Sequence, residues 1–320
     1  MNEYTPEGEL FSKDENKRSI ESIKSLEECE KTGKIIEAVC GICDAEHNLI
    51  VDFGFTKGIV PRNEGAIGIA DGTTRDIALI SRVNKPICFK VTGFDSNGLA
   101  LLSRKQAQLE CIENFVDNLS SGDIVRTKIT HLEQFGCFVD IGCGLPSLIP
   151  IDSISVSRIS HPSDRFFVGQ EINAIVKSIE KNASGENGIF GGGIFPKITL
   201  SHKELLGTWE ENAESFSTGE TVSGIVRSVE SYGIFVELLP NLAGLAELRD
   251  NISVNQAVSV YIKAIIPEKM KIKLIIVDSF DEPHINYNYK YHIDPRNTPN
   301  IKKWVYSVKG SPKSIRTDFL

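Results

Sequence analysis

No run of apolar side chains in these 320 residues approaches the roughly 20 needed to cross a bilayer as a helix. The amino end carries Glu3, Glu7 and Glu9 where a secretory signal peptide needs basic residues. Both absences point to a cytoplasmic protein with no membrane contact. Cysteine is sparse as well. Its seven copies, an odd number, are scattered along the chain, unlike the dense paired framework of a small secreted domain. Cys40 and Cys43 form a C-x-x-C, but no second pair or nearby histidine completes a zinc set, and the apolar run around them reads as a strand. Cys137 and Cys143 read likewise as core residues. The six histidines, His47, His131, His161, His202, His284 and His292, stand in no spacing with cysteine or carboxylate that makes a ligand set or a triad. No metal, no cofactor and no enzymatic reaction is implied.

What is present is ordinary folded material, 41% hydrophobic and 24% charged, long enough for two or three domains. A formal charge of −8 runs against nucleic acid at first sight, because affinity for it rests largely on phosphate neutralisation. The acidity is localised. Residues 1–32 hold nine carboxylates against five basic side chains, residues 105–121 three against one, and residues 204–218 four against none. The stretches between them, 33–104 and 122–203, are balanced at eight of each, and 219–280 holds seven against six. Residues 281–320 are basic, seven against four. A neutral domain can still present one basic face.

A repeat organises the chain. Ser121-Gly-Asp-Ile-Val-Arg-Thr-Lys-Ile-Thr130 with Gln134-Phe-Gly-Cys-Phe-Val-Asp-Ile141 matches Thr218-Gly-Glu-Thr-Val-Ser-Gly-Ile-Val-Arg227 with Ser231-Tyr-Gly-Ile-Phe-Val-Glu-Leu238. A weaker copy starts at Gly33, so the units begin at Gly33, Gly122 and Gly219. Each unit holds about five short strands with Gly-rich turns and no strand-helix-strand alternation. That pattern predicts an all-β chain of three tandem five-stranded antiparallel OB-fold barrels. The division is an acidic arm and helix (1–32), a degenerate barrel (33–104), a linker helix (105–121), a second barrel (122–203), a linker helix (204–218), a third barrel (219–280) and a basic aromatic tail (281–320). Within the arm, residues 14–31 read as a single helix with Ile20, Ile23 and Leu26 on one face.

Period-two alternation puts Cys137, Val139 and Ile141 in the second core and Phe138 and Asp140 outside. The third unit does the same with Ile234, Val236 and Leu238 against Phe235 and Glu237. An aromatic ring on the outer face at the same place twice suits single-stranded nucleic acid, whose bases stack on flat apolar rings. Phe135 and Tyr232 have the wrong strand parity, and a bulge at Gly136 and Gly233 would turn them to the same face. Arg126 and Lys128 point outward from the first strand of the second unit, and Arg227 from that of the third, where cations would hold phosphates. The first unit has His47 and Ile50 at the places of the ring pair, which makes it a protein-docking or spacer module.

These residues resemble the S-one RNA-binding module repeated in bacterial ribosomal protein S-one. The likeness runs over about residues 33–280, through Phe135-Gly-Cys-Phe-Val-Asp140, Lys197-Ile-Thr-Leu-Ser201, Tyr232-Gly-Ile-Phe-Val-Glu237, Gly244-Leu245 and Lys271. It implies single-stranded RNA or mRNA as ligand, a role in translation with the small ribosomal subunit, and RNA contacts at Phe135, Phe138, Lys197, Tyr232, Phe235 and Lys271. The family's histidine after Gly-Leu is replaced by Pro61, Pro150 and Glu247. An added loop, 184–196, contains a Gly-Gly-Gly run, but with no following Lys and helix it reads as a flexible loop rather than a phosphate cradle. In the tail, Tyr287, Tyr289 and Tyr291 alternate and are followed by Trp304 and Tyr306 amid Lys302, Lys303 and Lys309. The tail is expected to be irregular overall, with Tyr287, Tyr289 and Tyr291 packed along the last barrel as an added strand and an extended RNA path as the alternative.

Overall fold

The computed structural model describes residues 4–180, 196–280 and 289–319, so nearly all of the Gly-rich loop, and Tyr287, lie outside it. Each repeat unit closes into a five-stranded barrel. The first consists of β1 (Ile36–Cys43), β2 (Leu49–Asp52), β3 (Lys57–Val60), β4 (Pro86–Phe94) and β5 (Ala100–Ser103). The second has β6 (Ile124–Glu133), β7 (Gly136–Asp140), β8 (Pro146–Pro150), β9 (Glu171–Glu180) and β10 (Lys197–Ser201). The third has β11 (Thr221–Glu230), β12 (Gly233–Leu239), β13 (Leu242–Ala246), β14 (Ala257–Ile266) and β15 (Lys271–Phe280). One correction to the antiparallel expectation applies to all three. The third strand lies parallel to the fifth, pairing Gly58 with Ala100, Leu148 with Thr199 and Leu245 with Lys273. Five strands cannot alternate direction all the way round a closed ring, so one contact has to be parallel.

The alternation sets the cores. Val125, Thr127 and Ile129 are buried in β6, as are Cys137, Val139 and Ile141 along and just beyond β7. Leu238 falls at a ladder irregularity between Glu237 and Leu239 and is only partly buried. The single N-terminal helix is also corrected. The chain forms α1 (Asp14–Ser19) and α2 (Ile23–Thr32), because Ser22 turns extended and makes a reciprocal capping box with Ser25. After α3 (Ile77–Ile80), α4 (Arg104–Asn114) links the first two barrels, capped by Ser103. The second linker holds a 3-10 turn, Lys203–Leu206, and the short α5 (Trp209–Ala213), whose Trp209 packs into the third core.

Ahead of α1, residues 4–12 thread between the first and second barrels as a strap. The Glu7 carboxylate meets Arg104 Nε at 2.6 Å and Arg82 Nη1 at 3.0 Å, and its backbone N–H donates to Asp140 Oδ2 at 2.8 Å. Glu37 Oε2 accepts from the backbone N–H groups of Gly8 and Phe11, while its Oε1 is buried without a partner. Burial pushes the Glu37 carboxyl up to about 7, well above 4.5. Its contribution to stability is therefore complete below pH 4.5 and is lost as pH rises through 7. Glu37→Gln keeps the acceptor and abolishes the titration. In thermal unfolding the variant is expected to exceed the parent by about 2 kcal/mol at pH 8 and to approach it at pH 5. An unchanged pH dependence would sink this assignment.

The described tail is mostly irregular, and the added strand of tyrosines is the part corrected. Tyr289 and Tyr291 belong to no strand. The Tyr289 hydroxyl donates to the Arg165 carbonyl, and the Tyr291 hydroxyl accepts from Asn173 N–H at 3.2 Å. Both rings stand roughly perpendicular to that of His202, at 75° and 81°. Trp304 and Tyr306 are buried in the third core, and the strands β16 (Lys303–Val305) and β17 (Arg316–Asp318) pair with each other rather than with a barrel. Buried hydroxyls need acceptors, and backbone carbonyls of the barrels supply them, as Asn241 does for Tyr306 at 2.5 Å. Among the described tail aromatics, Trp304 and Tyr306 are buried and Tyr289 and Tyr291 half-buried, and all four hold the tail against the barrels.

Candidate nucleic-acid interface

In the second barrel the β6–β7 hairpin turns through two residues, Gln134 and Phe135, because Glu133 pairs directly with Gly136. Gly136 sits at φ +157°, and a Cβ there would lie 2.4 Å from the Ile149 carbonyl oxygen, so only glycine lets the β8 backbone come this close. Ser231 and Tyr232 make the same turn in the third barrel. Gly233 there is at φ +150°, with the Ala246 oxygen 2.7 Å from a notional Cβ. The expected bulge at these glycines is not where the ladder slips. The irregularities lie across the hairpin, between Ile129 and His131 and between Val226 and Ser228.

The consequence for the rings is the one the pattern called for. Phe135 is 47% exposed and lies 6.0 Å from Phe138, edge to face at 88°. Tyr232 is 68% exposed and lies 6.1 Å from Phe235, again at 88°. Two barrels thus hold matching crossed ring pairs at the mouth of the same hairpin. From each pair a row of outward residues runs across neighbouring strands. In the second barrel it is His131, Phe138, Leu148 and Thr199, and in the third Ser228, Phe235, Leu245 and Lys273. His131 and Lys273 escaped the sequence reading because strand register, not motif position, puts them beside the rings.

The cations divide into two groups. Lys197 is exposed at the start of β10, 3.3 Å from Glu180, and Lys271 is exposed at the start of β15. Arg126, Lys128 and Arg227 all have partners within the protein, but Arg126 stays outward as expected, its side chain 57% exposed, and only Arg227 departs from the expectation by being buried. Arg126 pairs with Glu9 of the strap and with Glu171, both at 2.5 Å, and Lys128 Nζ donates to the Glu7 carbonyl at 2.9 Å. The Arg227 side chain is 6% exposed, bonded to Glu237 at 2.9 Å, and Arg165 of the second barrel closes on the same carboxylate. Asp140 and Glu237 were expected on the outer face, but the strap covers one and the loop bearing Arg165 covers the other. A buried carboxylate needs donors and counter-charges, and Glu237 draws Arg227 and Arg165 inward to itself. Burial and the neighbouring Glu7 push the Asp140 carboxyl up to about 6.

At the family's histidine position, Pro150 faces Gly136 across the ladder and Glu247 is exposed, 3.8 Å from Lys263. In the first barrel His47 lies in the β1–β2 turn at φ +64°, with Nδ1 3.6 Å from Asp76, and Ile50 is half-buried. His202, fully buried, is pushed down to about 4 by desolvation and pairs with the Ile154 carbonyl, so it serves the core. Among the described residues no cluster of histidine, cysteine and carboxylates is arranged for a metal ion, and no helix is long and apolar enough to cross a membrane.

Comparison with known proteins speaks to the family of the chain. The family model described as S1 RNA binding domain matches residues 119–185. A small ribosomal subunit protein bS1 from Staphylococcus haemolyticus is 31% identical over 251 residues, covering 73% of this chain and 57% of that one. The bS1 protein of Staphylococcus aureus strain N315 is 29% identical over 259 residues, covering 78% and 60%. The chain therefore spans less than two thirds of the length of these relatives. The crystal structure of a multidomain protein with nucleic acid binding domains from Streptococcus pneumoniae aligns over 77% of this chain and 73% of that one. At 11% identity and a TM-score of 0.23 it carries no argument.

Proposed function

We propose, for a chain that is an S1-domain nucleic-acid-binding protein and a distant homologue of bacterial bS1, that it binds single-stranded RNA by stacking bases on two tandem barrels. Its ligand is mRNA and its setting is translation, in the cytoplasm, at the small ribosomal subunit. The observation that carries this reading is the pair of crossed rings, Phe135 with Phe138 and Tyr232 with Phe235, presented at the same hairpin of two successive barrels. Lys197, Lys271 and Lys273 stand where phosphates between stacked bases would pass. The first barrel lacks the rings and is tied to the second through the strap, which suits a spacer or a protein-docking module. Each RNA-binding barrel alone is weak, and a short linker between them raises the effective concentration of the second site once the first is filled.

The test is fluorescence anisotropy of a labelled uridine-rich single strand against the intact protein across a salt series. Binding that weakens as salt rises is the expected result. Absence of binding at low salt would remove the RNA reading and leave protein docking as the use of these barrels.

A further inference from the structure

The third barrel differs from the other two on its β14–β15 face. In the first two barrels the fifth strand ends at a serine that leads into a helix, Ser103 before α4 and Ser201 before the 3-10 turn. The residue paired with that serine on the fourth strand is covered as a result. Lys90 is bonded to Glu110 of α4, and Ile175 is 0% exposed in the core cluster of the third barrel. In the third barrel β15 runs straight on to Phe280. The corresponding pair, Tyr261 and Ile275, stays open, with Tyr261 38% and Ile275 41% exposed.

This open face joins the ring pair. Phe235 is in register with Leu245, Leu245 with Lys273, and Ile275, the next outward residue on β15, with Tyr261. Three strand spacings of about 4.8 Å put Tyr261 roughly 14 Å around the barrel from Phe235, within reach of a few nucleotides. The β14–β15 segment, residues 257–280, carries Lys263, Lys269, Lys271 and Lys273 against Glu268 and Asp278. Glu247 beside it is turned toward Lys263 at 3.8 Å. An exposed ring flanked by lysines on a surface continuous with a stacking platform has the chemistry of one more nucleotide position.

We propose that the third barrel carries an added single-stranded RNA subsite, with Tyr261 as a base-stacking platform and Lys273 and Lys271 as phosphate contacts, continuing the path from Tyr232 and Phe235. The subsite rests on the RNA-binding function above. It makes the third barrel's footprint longer than the second's, since the equivalent surface of the second is sealed by its linker.

The experiment uses the full chain in a Phe138→Ala background, which silences the second barrel, with labelled oligouridylates of about 3 nucleotides, enough for the ring pair alone, and of about 12 nucleotides, within the span usual for one OB barrel. Tyr261→Ala is expected to weaken the longer strand by about fivefold or more while leaving the shorter one unchanged, and Tyr261→Phe to behave as the parent. Lys273→Ala is expected to flatten the salt dependence for the longer strand by roughly one phosphate contact. If Tyr261→Ala binds both lengths like its parent while Phe235→Ala weakens both, the subsite is wrong and the RNA function stands. If the intact protein binds neither strand, both fall.

Discussion

Replacing Phe138 and Phe235 together by alanine is expected to reduce affinity for single-stranded RNA by at least 100-fold with the barrels intact. Each ring is half-buried on the outer face of its strand, with its crossed partner about 6 Å away. Alanine removes one stacked base, worth about 1–3 kcal/mol, and also the support of the exposed neighbour Phe135 or Tyr232. Either single variant should keep one competent barrel and lose mainly the gain from tethering, so the double variant should lose more than either one does. Core burial stays unchanged, because Cys137, Val139, Ile234 and Val236 point the other way. Far-ultraviolet circular dichroism and thermal unfolding therefore serve as controls. Equal affinity of parent and double variant, measured by anisotropy, would show that RNA does not use these rings.

Arg104→Met is expected to destabilise the junction of the first two barrels by about 3–5 kcal/mol, because it leaves the Glu7 carboxylate buried with Arg82 as its remaining counter-charge. Burial alone would raise the Glu7 carboxyl, but Arg104 and Arg82 outweigh it and hold the group down to about 2. A depressed carboxyl contributes stability above its ordinary value of 4.5 and loses it as pH falls toward 2, so the parent should become acid-labile in that window. The variant should lose much of that acid sensitivity. Calorimetry is expected to show the first barrel melting ahead of the others, since the strap touches Arg82 and Cys88 of that barrel and Asp140 of the next. Adding Glu7→Leu should recover a large part of the loss by removing the stranded charge. A single unshifted transition in Arg104→Met would mean that the strap does not couple the barrels.

The barrels were legible because alternation, glycine turns and a near-copy at a spacing of 97 residues all repeat one physical unit. The outward rings followed from parity alone at Phe138 and Phe235. Phe135 and Tyr232 were placed on the right side by the wrong device, since a tight two-residue turn brings them there and the ladder slips on the opposite strand. The partners that occupy Arg126 and Lys128, and the arginine that helps bury Arg227 against Glu237, are remote in sequence. Glu9 and Glu7 reach β6 from more than a hundred residues away, and Arg165 reaches Glu237 from the preceding barrel. No local pattern reports such contacts. The broken N-terminal helix was missed because an apolar stripe continues through Ser22, where a side-chain cap overrides it. Lys273 and Tyr261 became visible only once strand register placed them on the same face as Phe235.

The most direct test of the central claim is photo-crosslinking of a 4-thiouridine-substituted single strand to the intact protein, with the adducts located by mass spectrometry. Adducts concentrated on the peptides bearing Phe135 and Phe138 and on those bearing Tyr232 and Phe235, and absent from the first barrel, are the predicted result. Adducts confined to the first barrel or the tail, with both hairpins unlabelled, would contradict it.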